Sequence, residues 1–387
     1  MLTPSTTLPK LLPDSMAILG FLFAMTFALT FVPWIVKAAA RLGFMDMPGE
    51  RKIHKHPVAR FGGVSIVTAF VLTLGVLFAL KGSLPLAHGW AGLLLGGGIM
   101  FALGALDDAL NLSPYIKLPV QVLAAWAAYQ LGIQVTVLDL PFQQLLPLGD
   151  LSLPITLLWL VGISNAFNFI DGVDGLAGGV SLISALTLAI VALFTHQIFA
   201  ALIAAILAGA AMGFLVYNTH PARIFMGDGG SLFCGFMLAS ISVTGVLKTP
   251  VAVMLVPVMI LSVPILDVTY STMRRLLAGK NPFRADKGHI HHKLLDAGLG
   301  HRGIVKMMYG VCIISGLGVA YYVHSLLPYV LLLCGTGLLM FALLQLRFSS
   351  EKSEVLSSVS QAPNVPVSSP GNDFDATVSQ GPVLAGV

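Results

Sequence analysis

Long apolar runs, broken by short polar stretches, recur along this chain from about residue 15 to about residue 346. A helix of about 20 apolar residues matches the ~30 Å hydrocarbon layer of a bilayer, so each run reads as a membrane-crossing helix. Eleven are predicted, at 15–38, 62–80, 90–106, 115–131, 153–169, 177–195, 198–217, 230–247, 251–273, 304–323 and 327–346. Residues 132–152, GIQVTVLDLPFQQLLPLGDLS, depart from this pattern. They alternate apolar and polar side chains across a Pro-containing turn, which predicts a small β-hairpin. Pro257 and Pro264 fall inside the ninth run and predict a kink or break there. From Arg347 onward the chain turns Ser-, Val-, Pro- and Gly-rich with no period, which predicts a disordered tail.

Composition agrees. Of 387 residues 56% are hydrophobic and only 10% charged, where a soluble domain carries about 25% charged residues. The mean hydropathy is +0.89. Cys234, Cys312 and Cys334 all lie inside apolar runs without a pairing pattern, so neither a disulfide framework nor a zinc site is expected. The first run is long and ends in Lys37 and Arg41 instead of a small-residue cleavage site, which reads as a retained helix. The net charge of +4 carries no message as a total, and nucleic-acid binding is not indicated. Its distribution does carry one. Placing the N-terminus outside leaves Lys10, Lys81 and Lys248 on the outer side and the other eighteen of the twenty-one Lys and Arg inside. The expected architecture is an all-α polytopic membrane protein: an extracytoplasmic N-terminus at 1–14, a transmembrane domain at 15–346 with eleven helices, a small extracytoplasmic β-hairpin and a cytoplasmic-face active site, and a cytoplasmic tail at 347–387.

Carboxylates beside lipid are costly, so those at helix ends are read for function first. Asp107 and Asp108 close the third run in ALDDALNLSP, Asp171 and Asp174 follow the fifth in NAFNFIDGVDGL, and Asp228 precedes the eighth in FMGDGGSL. Each alone reads as a solvated helix cap. Five acids in three Gly-rich loops on the inner face point instead to a bound cation, and oxygen donors without accompanying Cys or paired His favour Mg²⁺, with Mn²⁺ as a substitute. Asp171 and Asp174, three apart, would share one face of a helical turn. GDGGSL would offer backbone N–H groups to an anion at a helix start.

Lys117, in SPYIKLPVQ, reads either as a snorkelling residue or as a clamp for a lipid phosphate. The loop RRLLAGKNPFRADKGHIHHKLLDAGLGHR gathers Arg274, Arg275, Lys280, Arg284, Lys287, Lys293 and Arg302 with His289, His291, His292 and His301. It reads as a diphosphate-binding surface, the alternative being attraction to acidic lipid head groups. Arg51, Lys52, His54, Lys55, His56 and Arg60 in the first inner loop need no more than charge bias.

Five motifs, DMPGERKIHKHPVARFGG, LDDALNLSPYIKLPVQ, NAFNFIDGVDGLAGG, NTHPARIFMGDGGSLFCGF and KGHIHHKLLDAGL, in this order, resemble the polyprenyl-phosphate N-acetylhexosamine-1-phosphate transferases of glycosyltransferase family 4. The HIHH loop and the RKIH segment resemble the WecA/TagO branch, which uses UDP-N-acetylglucosamine, more than the muramyl-pentapeptide branch. The resemblance implies transfer of N-acetylglucosamine 1-phosphate to undecaprenyl phosphate at a bacterial inner membrane, initiating a surface polysaccharide, by an enzyme that is multi-pass and compatible with a homodimer. It implies that Asn168 and Asp228 contact Mg²⁺, that Asp107 and Asp108 work around the metal and lipid phosphate, and that Lys117 holds that phosphate together with Asp108. It further implies a nucleotide-sugar site made by Asn165, Asp171, Asp174, Gly175, Arg284, His289, His291 and His292. A transporter is the rival class, since broken helices and intramembrane charge also describe carriers. Against it, the acids cluster at one face and no internal repeat is evident.

Overall fold

The computed structural model describes residues 13–48, 56–81, 89–140, 144–246, 261–277 and 300–322, with Val258 and Leu294. All of these fall in Met1–Leu343, the first of two units into which the chain divides; the predicted tail lies outside the described residues.

Among the described residues ten long helices follow one another: α1 (Pro13–Leu42), α2 (Gly62–Lys81), α3 (Trp90–Leu110), α4 (Pro114–Gln130), α5 (Ser152–Ile170), α6 (Leu176–Phe194), α7 (Ile198–Asn218), α8 (Gly227–Ile241), α9 (Ser262–Leu277) and α10 (His301–Tyr322). Seven of them, α1, α2, α3, α5, α6, α7 and α10, contain stretches long and apolar enough to cross a membrane. Each of the ten overlaps one of the first ten apolar runs, and the eleventh run lies outside the described residues. In the ninth run Leu261 is a turn residue between the helical Val258 and the start of α9 at Ser262, so Pro264 stands in the first turn of α9, where a missing N–H breaks no helical bond. Pro257 is outside the described residues.

Two short antiparallel pairs complete the set. β1 (Met45–Asp46) pairs with β2 (Val58–Ala59), and β3 (Val137–Leu140) pairs with β4 (Gln144–Pro147), Val137 opposite Pro147.

α6 and α7 form the centre, buried around almost their whole circumference. A helix apolar on every side has no polar face to present, so it belongs inside. Lipid exerts no hydrophobic drive between helices, and packing must come from close approach. α7 supplies it with Gly209 and Gly213, one turn apart: a Cβ there would stand 2.1 Å from Phe21 O and 2.5 Å from Met25 O of α1. α1 carries Pro33, which has no N–H to give to Leu29 O. The Tyr217 hydroxyl of α7 donates to that carbonyl at 3.2 Å, satisfying a group that water cannot reach.

Short turns join α3 to α4, α5 to α6 and α6 to α7. The C-terminal ends of α3, α5 and α7 and the N-terminal ends of α2, α4, α6, α8 and α10 thereby meet at one end of the bundle, as the bonds described next record.

Candidate active site

α3 ends where Asn111 takes a left-handed conformation, φ 50°, and its N–H closes on Asp107 O. Ser113 then caps α4 by accepting the Tyr115 N–H at 3.3 Å, and Pro114 supplies the first helical position. This tight reversal carries Lys117, one turn into α4, back over the end of α3. Its Nζ lies 2.6 Å from Asp107 Oδ2 and 3.3 Å from Asp228 Oδ2. The other Asp107 oxygen accepts the Leu112 N–H at 2.6 Å.

Asp108 is the next residue along α3, ~100° further round the helix, and it serves a different partner. Its Oδ1 accepts the Asp228 N–H at 2.9 Å and its Oδ2 the Gly229 N–H at 3.1 Å. An acid on α3 thus caps the N-terminus of α8, where N–H groups lack partners and the helix dipole favours an anion. The approach depends on Gly104, whose Cβ would stand 2.3 Å from Asp228 O. These bonds correct the expectation that the GDGGSL amides await an anionic ligand, since those of Asp228 and Gly229 face Asp108.

α5 contributes Asn168 and Asp171. Asn168 Nδ2 donates to Ser231 Oγ at 3.0 Å, and the same side chain hydrogen-bonds Asp228. Asp171 ends α5 and accepts the Gly227 N–H. Burial first, then the negative charges of Asp228 and Asp108, hold its carboxyl well above the usual carboxylate range. Asp107, Asp108 and Asp171 all stand at C-terminal helix ends, where the dipole adds to the negative potential. Among the described residues the cations facing them are Lys117 and Arg60; Arg60 is paired with Asp46 and its charge acts on Asp108. Among the described residues no three His, Cys, Asp or Glu side chains form a self-sufficient metal site. The groups available to a cation are the oxygens of Asp228, Asn168 and their neighbours, a set that needs water or phosphate to complete it.

The sequence placed Asp171 and Asp174 on one face of a helical turn. Residues 171–175 instead form an irregular turn between α5 and α6, and the two carboxylates separate. Asp174 turns to the loop after α7, where its Oδ2 lies 2.8 Å from His220 Nδ1 and accepts the Ala222 N–H at 3.2 Å. Gly175 donates its N–H to Asn218 Oδ1 at 3.1 Å, and Asn218 Nδ2 donates to Ile224 O at 2.8 Å. That loop is zipped to the segment ahead of α2: Phe225 N–H to Ala59 O at 2.8 Å, Gly62 N–H to Phe225 O at 2.9 Å, Gly63 N–H to Met226 O at 2.8 Å.

Asp107, Asp108, Lys117, Asn168, Asp171 and Asp228 therefore form one connected group, with Asp174 and Gly175 in a second group on the adjoining turn. Asn165 joins neither. It pairs amide to amide with Gln121 of α4, at 2.7 and 3.3 Å, and bonds Val161 O, because its place one turn earlier on α5 faces α4. Arg284, His289, His291 and His292 lie outside the described residues. Sequence reasoning passed over Ser231, Asn218, His220 and Gln121, although all four stand within motifs singled out there; Tyr309 gave no signal.

The chain is similar in sequence to known proteins. Residues 90–246 match the model for Glycosyl transferase family 4. A probable undecaprenyl-phosphate N-acetylglucosaminyl 1-phosphate transferase of Bacillus subtilis (strain 168) is 37% identical over 298 residues, 76% of this chain and 81% of that protein. The decaprenyl-phosphate N-acetylglucosaminephosphotransferase of Mycolicibacterium smegmatis is 35% identical over 312 residues, 71% and 74% of the two chains. The undecaprenyl-phosphate alpha-N-acetylglucosaminyl 1-phosphate transferase of Escherichia coli (strain K12) is 28% identical over 317 residues, 79% and 84%.

Proposed function

The chain belongs to glycosyl transferase family 4, and on that premise we propose that it transfers N-acetylglucosamine 1-phosphate from UDP-N-acetylglucosamine to undecaprenyl phosphate, releasing UMP. The observation that carries this reading is the meeting of six polar side chains from α3, α4, α5 and α8 at one end of a bundle of membrane-length helices. One reactant is a lipid and the other a soluble anion, so the reaction belongs at such a boundary. The bias of Lys and Arg toward one side supports a cytoplasmic position for that end, and the names of the relatives support undecaprenyl phosphate and N-acetylglucosamine.

In this reaction an oxygen of the lipid phosphate attacks the donor phosphorus bonded to the sugar, and the bond from that phosphorus to the bridging oxygen breaks as UMP departs. An ionised phosphate needs little activation, so alignment and charge stabilisation do most of the work. Lys117 has three donors, two of them engaged by Asp107 and Asp228, and the third is presented to the acceptor phosphate. Asp108, both oxygens on backbone amides, positions Asp228 and does not need to act as a base. Asp174 uses only Oδ2 among the described residues, which leaves Oδ1 for the nucleoside.

The donor set suits Mg²⁺. Asp228 and the carbonyl oxygen of Asn168, whose amide nitrogen is occupied, would hold it, and crowded acids at helix C-termini gain from a cation. When bound, the ion neutralises charge on the donor diphosphate. We expect purified protein to release UMP only when undecaprenyl phosphate and Mg²⁺ are both supplied, and chelation to abolish it. UMP release without acceptor, or none with it, would reject the reading. Uptake of unchanged nucleotide sugar into proteoliposomes would establish a transporter instead.

A further inference from the structure

The turn bearing Asp174 is also braced from α10. α10 reaches it twice. At the first residue of α10, the His301 ring stacks on that of His220, centroids 5.0 Å apart and planes 12° from parallel. His220 is the residue whose Nδ1 meets Asp174 Oδ2 at 2.8 Å; a carboxylate only accepts, so Nδ1 carries the proton. Further along α10, Tyr309 donates its hydroxyl to Gly175 O at 2.6 Å. The tyrosine enters a space that exists because residue 179 has no side chain: a Cβ there would stand 1.8 Å from the hydroxyl oxygen and 2.0 Å from Cζ. A glycine inside a helix is less favourable than alanine. Gly179 lies inside α6, and the contact with Tyr309 accounts for its presence there.

We propose that His301 and Tyr309 are positioning residues for the nucleotide sugar, setting the turn at Asp174 and Gly175 from α10. The inference deepens the transferase reading and rests on its assignment of Asp174 to the donor. The bonds of His301 and Tyr309 described here lead to the Asp174 turn and not to Lys117, Asp107 or Asp228. Their loss should therefore fall on the donor alone.

The test uses the full chain in detergent or nanodiscs with UDP-N-acetylglucosamine, undecaprenyl phosphate and Mg²⁺. Tyr309→Phe keeps the ring over Gly179 and removes one hydrogen bond, and donor KM should rise roughly three- to tenfold. The acceptor KM should be unchanged and kcat should stay within about twofold, the pattern of lost ground-state binding. His301→Ala should act in the same direction, and His301→Phe, which restores a ring to stack, should return donor KM toward wild type. Equal rises in both KM values, or a loss of kcat that tracks a lower Tm, would show a merely structural role and overturn the proposal. So would an unchanged donor KM in both variants. Equilibrium binding of UDP-N-acetylglucosamine to the same proteins, read without turnover, separates the two readings. Wild-type protein that binds the nucleotide sugar but releases no UMP when undecaprenyl phosphate and Mg²⁺ are supplied rejects the transferase, while the ranking of the variants still decides on α10.

Discussion

Asp107 and Asp108 differ from Asp171 and Asp174 in the structure that holds them. The first pair stands on the last turn of a regular helix, and the geometry of that helix sends the two side chains to separate partners, Lys117 for one and the amides of Asp228 and Gly229 for the other. The second pair lies in an irregular turn. Asp171 joins the carboxylate group, and Asp174 is held by an imidazole, one amide and the braces on Gly175. A carboxylate on a helix is placed by the backbone and is rigid from the start. One on a turn is placed by what packs around it, and the number of braces measures how far the position matters. On the proposed function, this difference divides the site into a half where charge is fixed for phosphate chemistry and a half where a ligand is recognised.

The sharpest break of that division is Asp228→Ala. The bonds from Asp108 go to the backbone amides of residues 228 and 229, which alanine keeps, so the α3–α8 contact should survive. The side chain that faces Lys117 and Asn168 is lost. Turnover should fall by about a thousandfold, in the range for removal of a preorganised electrostatic group, with Tm close to wild type. UMP release and a thermal melt on one preparation measure both; activity above a tenth of wild type would remove Asp228 from the metal.

Lys117→Gln comes next. It leaves Asp107 and Asp228 facing each other without their shared cation and, on the proposed function, the acceptor phosphate without its donor. We expect kcat/KM for undecaprenyl phosphate to fall about a hundredfold while donor KM stays near wild type. A larger change in the donor than in the acceptor would merge the two halves and undo the division.

The acids themselves were legible in the sequence because charge in an apolar chain is conspicuous. Their partition was not. Nothing local distinguishes Asp107 from Asp108; what separates them is the angle between neighbours on a helix and the identity of the helices on either side. The GDGGSL amides looked free because capping by a residue 120 positions away leaves no local trace. Asp171 and Asp174 were given a helical spacing because three residues apart is a helical signature, yet Gly172 and Gly175 flank a turn, and the pair separates. Helix placement was accessible since a run of about 20 apolar residues has one use in a bilayer. The short α8 was less so, because a helix buried among others need not span the full thickness. Tyr309 is the clearest omission, an aromatic in an apolar helix whose only mark is a glycine 130 residues earlier.

A milder test compares carboxylates by removing charge without changing shape. Asp108→Asn keeps one oxygen as an acceptor but turns an NH₂ group toward either the Asp228 or the Gly229 amide, donor against donor. The cap on α8 should weaken by about 1 kcal/mol, read as a lower Tm, and activity should drop about tenfold in kcat as Asp228 loses its fixed position. Asp174→Asn should leave Tm nearly unchanged and raise donor KM instead. Matching effects in the two variants would show that helix and turn hold their acids alike.

The smallest effect should come from His220→Ala. Asp174 would keep the Ala222 amide and lose the imidazole, and the ring of His301 would lose its stacking partner. One hydrogen bond to a charged group is worth about 1.5–3 kcal/mol at most. With His220 part-exposed to solvent, water replaces much of that bond, so a donor KM roughly threefold higher is expected. His220→Asn, which returns an N–H donor but no aromatic ring, separates the two contributions. Recovery of donor KM would assign the effect to the hydrogen bond. Failure to recover, with His301→Ala producing the same rise, would assign it to the stack, and the turn would then be positioned from α10 more than from the loop after α7.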